Sequence, residues 1–410
     1  MTAPAPVRTE DFAALAERSL PAPVWDFVAG GSGEELTLAA NRAALDRLAL
    51  VPRVLTGGAG RTTATDLLGT PAALPVAVAP MAYQRLFHPD GEAATARAAR
   101  AAGVPFVLST LSSTPVEEIT ALGADTWFQL YCLRDRPATA GLVRRAERAG
   151  CSALMVTVDV SEMGRRLRDV RHGFALPPEV TAVHLAPDST SGTHDTRPGS
   201  SAVAVHTAEA FAADLDWDAL AELRAATRLP LIVKGLLDPR DAARAAAAGA
   251  DAVVVSNHGG RQLDGAVTSV EMLPAVREAV PGGCRVLFDS GIRGGTDVLK
   301  ALALGADGVL LGRPVLWGLA VDGENGVREV LRLVQGELRA ALALSGCATP
   351  ADARGLDVRG LDVRGLDIRG VDVRGLDARG ARGAARADLR RAARADLRGA
   401  SPSELRGAAR

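Results

Sequence analysis

Eight short apolar runs punctuate the chain, at 75–81, 105–110, 126–131, 153–159, 230–235, 252–258, 285–291 and 308–313. Most are continuous rather than alternating, as in FVLST, ALMVT and VVVSN. A strand apolar on both faces belongs in a sheet covered on both sides, the situation of parallel α/β architecture. Between the runs lie Ala-rich stretches, among them 91–102, 136–149, 239–248 and 296–304, whose composition and spacing predict helices. Gly103, Gly150, Gly249 and Gly305 follow them, the residue type at which helices commonly stop. Eight strand–helix units predict an α/β fold of the (β/α)8 TIM-barrel type. An open doubly wound sheet is the alternative arrangement of the same elements. A helical segment, 1–50, precedes the barrel, which is assigned to 51–348. One connection, about 167–216, is unusually long and rich in Pro, Ser, Thr and Gly. It reads as a lid over the mouth of the barrel, with an unstructured insertion as the alternative.

The polar residues gather where the runs end, and in a barrel those ends converge on one face. Pro80, Met81 and Ala82 close the first run, Ser109 the second, Gln129 and Tyr131 the third, Thr157 and Asp159 the fourth, and Lys234 the fifth. The sixth ends in Ser256-Asn257-His258-Gly259-Gly260-Arg261. A titratable imidazole and a fixed cation there share one mouth, beside backbone slim enough for close approach. Asp289-Ser290-Gly291-Ile292-Arg293 and Gly312-Arg313 follow the seventh and eighth runs. Barrel enzymes commonly hold phosphate at that position on glycine amides, and Arg293 and Arg313 add charge-assisted hydrogen bonds. A phosphorylated ligand is therefore expected. His258 is the candidate base, with Asp159 to orient it and favour its protonated form. Arg166 and Arg261 together imply a substrate carboxylate. Lys234 suits either an anionic cofactor ring or a salt bridge to a neighbouring carboxylate. Ser109, Gln129 and Thr157 suit the polar edge of a planar ring.

Composition narrows the function classes. Of 410 residues, 48% are hydrophobic and 3% aromatic, and the formal net charge is −1, which leaves no electrostatic footprint for nucleic acid. No uninterrupted apolar stretch approaches the roughly 18 residues of a membrane span, and no leader pattern opens the chain. The four cysteines are scattered without a C-x-x-C pair. Reduced thiols, no metal site and a cytoplasmic location are expected. The charge is uneven, because the residues after 350 carry 14 Arg against nine acidic residues. From Gly355 the pentads GLDVR, GLDVR, GLDIR, GVDVR and GLDAR follow one another. They resemble pentapeptide repeats, but the run is too short for a stacked coil. Residues 349–410 are read as a low-complexity tail whose removal leaves activity intact.

SNHGGRQLD at 256–264, FQLY at 128–131, GRRLRD at 164–169, LIVKG at 231–235 and the 289–315 stretch resemble the FMN-dependent α-hydroxy acid oxidases and dehydrogenases. The similarity spans about residues 9–348. It implies FMN held by Pro80, Met81, Ala82, Ser109, Gln129, Thr157, Lys234, Ser256, Asp289, Ser290, Gly291, Arg293, Gly312 and Arg313. It implies a substrate carboxylate held by Arg166 and Arg261, a hydrogen bond from Tyr131, and His258 as base partnered by Asp159. Two departures bear on the substrate. Phe27 stands where relatives have a carboxylate-binding Tyr, and Leu111 where they have a Trp. A roomier, more apolar pocket favours an aryl acid over glycolate. WDFVAGGSG, APMAYQRLFHPDGE, TLSS and GRRLRDVRHGFALP look most like 4-hydroxymandelate oxidases of hydroxyphenylglycine (antibiotic) biosynthesis, which reduce O2 to H2O2. A quinone-linked dehydrogenase, or a glycolate or lactate oxidase, is the alternative, and a non-enzymatic scaffold acting through the tail a remote one. Hydride and carbanion routes both stay open. The resemblance also implies a homo-oligomer, a tetramer or octamer, acting on a small 2-hydroxy acid with O2.

Overall fold

The computed structural model describes residues 5–360 except 59, 187–189 and 196–198. Eight parallel strands close into a ring: β1 (Val76–Val78), β2 (Phe106–Ser109), β3 (Thr126–Leu130), β4 (Ala153–Thr157), β5 (Leu231–Leu236), β6 (Ala252–Val255), β7 (Arg285–Phe288) and β8 (Gly308–Leu311). Each pairs with its sequence neighbours, and β8 closes on β1 through Val309↔Val76 and Leu311↔Val78. The open-sheet alternative is thereby excluded. The eight runs supply these strands in order, as the pattern predicted.

The pleat divides each strand between two cores. Ala77, Val107, Trp127, Met155, Ile232, Val254, Leu287 and Leu310 fill the inside of the ring. Their neighbours, such as Val78, Phe106, Phe128, Val233 and Phe288, pack outward against the helices. The hairpin Thr65–Leu67/Thr70–Ala72 adds Leu67 and Ala72 to the inner cluster. In every strand but β5, which continues to Leu236 past a bulge, pairing stops one to three residues earlier than the apolar run does. The chain there turns into left-handed backbone at Tyr83, Gly235, His258, Ser290 and Gly291, and the residues freed from the ladder form the mouth.

Three helices precede the ring, α1 (Thr9–Ser19), α2 (Ala22–Ala29) and α3 (Leu36–Arg47). The described residues of the connection after β4 are folded rather than unstructured. The connection contains helices Leu167–His172 and Ala202–Ala210 and a 3-10 turn Ser191–His194. It buries Phe174, Leu176, Val180, Val203 and Phe211, and Phe211 bridges to Leu133. The expected boundary at 348 is also moved. Asp357–Arg359, from the first pentad, pairs antiparallel with Ala49–Val51, and Ala353 and Leu356 are buried. Gly360 fits because a Cβ there would lie 2.4 Å from the Arg47 carbonyl oxygen. The later pentads lie outside the described residues. Among the described residues no helix is long and apolar enough to cross a membrane, no cluster of potential metal ligands occurs, and all four cysteines are free and buried.

Candidate active site

The strand ends converge on one cavity. The loop after β1 brings Pro80, Met81 and Ala82 to it; Ser109, Thr157 and Lys234 arrive from β2, β4 and β5. His258 and Arg261 follow β6, Asp289, Ser290, Gly291 and Arg293 follow β7, and Gly312 and Arg313 follow β8. Phe27, Tyr131 and Arg166 complete the set from α2, the end of β3 and the long connection. Three expected residues stand one layer behind. Gln129 Oε1 accepts from Ser109 Oγ at 3.1 Å and its Nε2 donates to Thr157 Oγ1 at 3.0 Å. Ser256 Oγ accepts from Lys234 Nζ and from the His258 amide, both at 3.0 Å. Asp159 lies behind the imidazole.

His258 Nδ1 lies 3.0 Å from Asp159 Oδ1. Because a carboxylate can only accept, the proton sits on Nδ1 and Nε2 is left with a lone pair. Gly235 makes room for this pair. Its φ is +110°, and a Cβ there would meet Asp159 Cγ at 2.5 Å. Burial pulls the His258 pKa below the ordinary value; Asp159 opposes this without reversing it. The net shift favours the neutral imidazole, while Asp159 on its own favours the protonated form, as expected. Burial pushes the Asp159 carboxyl up, but its contacts with His258 and the charge of Lys234 outweigh it and hold the pKa below its usual range. Lys234 shows the converse. Burial lowers its pKa, and Asp289, 3.2 Å away, with Asp159 raises it further.

Two pairs of partly buried arginines face the same space. Arg166 and Arg261 lie over the Phe27 ring, at 5.8 and 5.4 Å from its centroid. Phe27 in turn stacks on Phe174 at 4.7 Å. Arg166 has Asp169 3.8 Å away, and its Nε has no hydrogen-bond partner. Burial, then repulsion from Arg166 and Arg313, drives the Arg261 pKa well below the normal arginine range. Arg313 donates only to carbonyls, those of Val28, Gly30 and Gly259, at 2.9 to 3.1 Å. Arg293 donates to the Ile292 carbonyl and lies over the Trp317 ring. Burial pushes Arg293 down to about 10 and Arg313 to about 9. Removing cations from water without enough anions is costly, and among the described residues only Arg166 of the four has a salt-bridge partner, so the site suits two anionic groups. FMN fits this donor set: Arg293 and Arg313, beside Gly291 and Gly312, would hold its phosphate, and Lys234 with the Ser109–Gln129–Thr157 chain would meet its planar ring.

The sequence reading missed Val203, Thr207 and Phe211, which line the cavity from Ala202–Ala210 and its C-terminal end. Phe211 stacks on Tyr131 at 4.5 Å. One signal was available, since Phe174 and Phe211 are the only phenyl rings in 167–216. Both turn out to brace predicted site residues.

Comparison with known proteins agrees with this geometry. The family model described as FMN-dependent dehydrogenase matches residues 16–358. A 4-hydroxymandelate oxidase of Amycolatopsis orientalis is 55% identical over 350 residues, 85% of this chain and 97% of that protein. An L-lactate oxidase of Nostoc sp. is 47% identical over 85% of this chain and 96% of its own length. A crystal structure of mandelate oxidase with (S)-4-hydroxymandelic acid superposes with a TM-score of 0.85 at 54% identity, covering 86% of this chain and 99% of that one. Sequence, barrel and mouth thus converge, and the chain belongs to the FMN-dependent dehydrogenase family, the family of the 2-hydroxy acid oxidases.

Proposed function

We propose that the chain oxidises an aryl (S)-2-hydroxy acid, 4-hydroxymandelate to 4-hydroxybenzoylformate, with O2 reduced to H2O2. The observation that carries this reading is His258, backed by Asp159, in one cavity with Arg166 and Arg261, of which only Arg166 has a salt-bridging carboxylate among the described residues. The pair takes the substrate carboxylate, and bidentate arginine contacts fix its orientation. Tyr131, braced by Phe211, offers a hydroxyl to the same substrate. His258 Nε2 accepts a proton from the substrate, and Asp159 stabilises the resulting imidazolium. Proton transfer to His258 is common to the hydride and carbanion routes. FMN supplies the two-electron acceptor when bound. Arg293, Arg313 and the glycines beside them hold its phosphate, while Lys234 offers positive charge to its ring.

The aryl assignment rests on the cavity wall. Phe27, Leu111, Val203 and Phe211 line it, so a phenyl group gains burial that glycolate cannot. The 4-hydroxymandelate oxidase relative supports the same choice. Four buried free thiols support a reducing, cytoplasmic setting. The test is turnover of mandelate, 4-hydroxymandelate, lactate and glycolate under air, with peroxide measured. The expected order of kcat/KM puts both mandelates above lactate and glycolate, with stoichiometric peroxide. Preference for glycolate would overturn the aryl reading, and flavin reduction without peroxide would make the protein a dehydrogenase.

A further inference from the structure

One buried carboxyl group stands apart from this chemistry. Glu92, in the first turn of α4 (Gly91–Ala102), is fully excluded from solvent. A helix N-terminus favours an acidic side chain, but this one reaches out of the helix into two loops. Its Oε1 accepts from the Gln84 amide at 3.0 Å and the Ser113 amide at 2.9 Å. Its Oε2 accepts from the Thr114 hydroxyl at 3.0 Å, and the Ser113 hydroxyl lies 3.0 and 2.8 Å from the two oxygens. Gln84 belongs to the loop after β1; Ser113 and Thr114 belong to the loop after β2.

Those two loops carry Ala82 and Leu111 to the cavity. Among the described residues the hydrogen bonds directly between them are the Tyr83 amide on the Leu111 carbonyl, 3.0 Å, and the Arg85 amide on the Ser113 hydroxyl, 3.2 Å. The second loop is pinned on its far side by His184, whose Nε2 accepts from the Val116 amide at 3.0 Å and whose Nδ1 lies 3.3 Å from the Thr110 carbonyl. Glu92 is the matching pin on the near side. Without it two backbone N–H groups would be buried with no acceptor, and neither loop could keep its position without exposing them or losing their hydrogen bonds.

We propose that Glu92 is a positioning residue for acid selectivity: by clamping the loops after β1 and β2 it fixes Leu111, and with it the shape of the cavity beside the reacting acid. Which acid profits rests on the function proposed above; the coupling between Glu92 and Leu111 does not. The chemistry of the two oxygens makes the idea testable. Oε1 faces two amide donors and must remain an oxygen. Oε2 faces only hydroxyls, which can turn to accept. A glutamine with its oxygen toward the amides therefore satisfies every partner, whereas alanine satisfies none.

The experiment is the ratio of kcat/KM for mandelate over glycolate in the flavin-loaded full-length protein. Glu92→Ala should lower it about tenfold, the scale of a methylene-sized change in pocket fit. Glu92→Gln should restore it. Leu111→Ala should add little further loss on the Glu92→Ala background, since neighbours acting through one contact are non-additive. Ser113→Ala with Thr114→Val, which strips the hydroxyl partners, should shift the ratio the same way and serves if Glu92→Ala does not fold. The proposal fails if glutamine is as damaging as alanine, if the ratio holds while only the melting temperature falls, or if the two losses add. If the wild type oxidises neither mandelate, the aryl reading fails instead, and the coupling is read from any two acids it does turn over.

Discussion

At the residue scale the site depends on a histidine kept neutral in a buried, cationic environment. His258→Ala should keep bound flavin, because the phosphate and ring contacts lie elsewhere, and lose on the order of 10²–10⁴ in turnover, the range of a general base. Absorbance of the bound flavin and steady-state rates check both halves. Burial lowers the His258 pKa, so the base form persists as pH falls. The acid limb of kcat/KM should therefore lie below the ordinary histidine value of about 6.5. An acid limb above that value would mean that Asp159, not burial, dominates. Gly235→Ala should be more harmful than the same change at a glycine with open space around it, such as Gly141. At Gly235 the Cβ would collide with Asp159 and the positive φ is strained for alanine. A loss of rate comparable to that of Asp159→Ala, with FMN retained, is the expected result.

At the element scale the barrel was legible because its signal is physical and repeated. A strand buried on both faces must be largely apolar, and β1 to β8 are, apart from strand-end positions such as Arg285 and the polar residues Ser109, Gln129, Thr157 and Lys234 near the mouth. The mouth was legible for the same reason, since a titratable residue interrupting such a run has to face something other than the core. What could not be read was the long connection. Its helix Ala202–Ala210 shows little separation of apolar and polar faces, and the segment packs through distant contacts such as Phe27–Phe174 and Tyr131–Phe211. His184 illustrates how such a segment is held. Burial pushes its pKa down to about 4, and only the neutral ring can both donate to Thr110 and accept from Val116. Its folded pKa lies below its unfolded one, so the associated stability is complete above about pH 6.5 and is lost as pH falls toward 4. The melting temperature should drop across that window by more in the wild type than in His184→Gln.

At the scale of the whole molecule, the boundary between body and tail was placed too early because composition changes before structure does. The first pentad has the tail's sequence but the body's role, covering Ala49–Val51 and burying Leu356. Truncation after residue 360 should leave melting temperature and activity unchanged. Truncation after 348 should lower the melting temperature by several degrees, since it removes a strand and two buried apolar residues. Thermal unfolding of the two truncated proteins separates these outcomes. One further contact joins regions that are otherwise described apart. The Gly30 carbonyl accepts from Arg261 at 2.8 Å and from Arg313 at 2.9 Å. The arginine assigned to the substrate and the arginine assigned to the cofactor thus draw on a single oxygen at the end of α2. Any ligand that redirects one of them alters what the other receives. The two affinities are then linked, and by reciprocity the factor by which FMN changes the affinity for a hydroxy acid is the factor by which the acid changes the affinity for FMN.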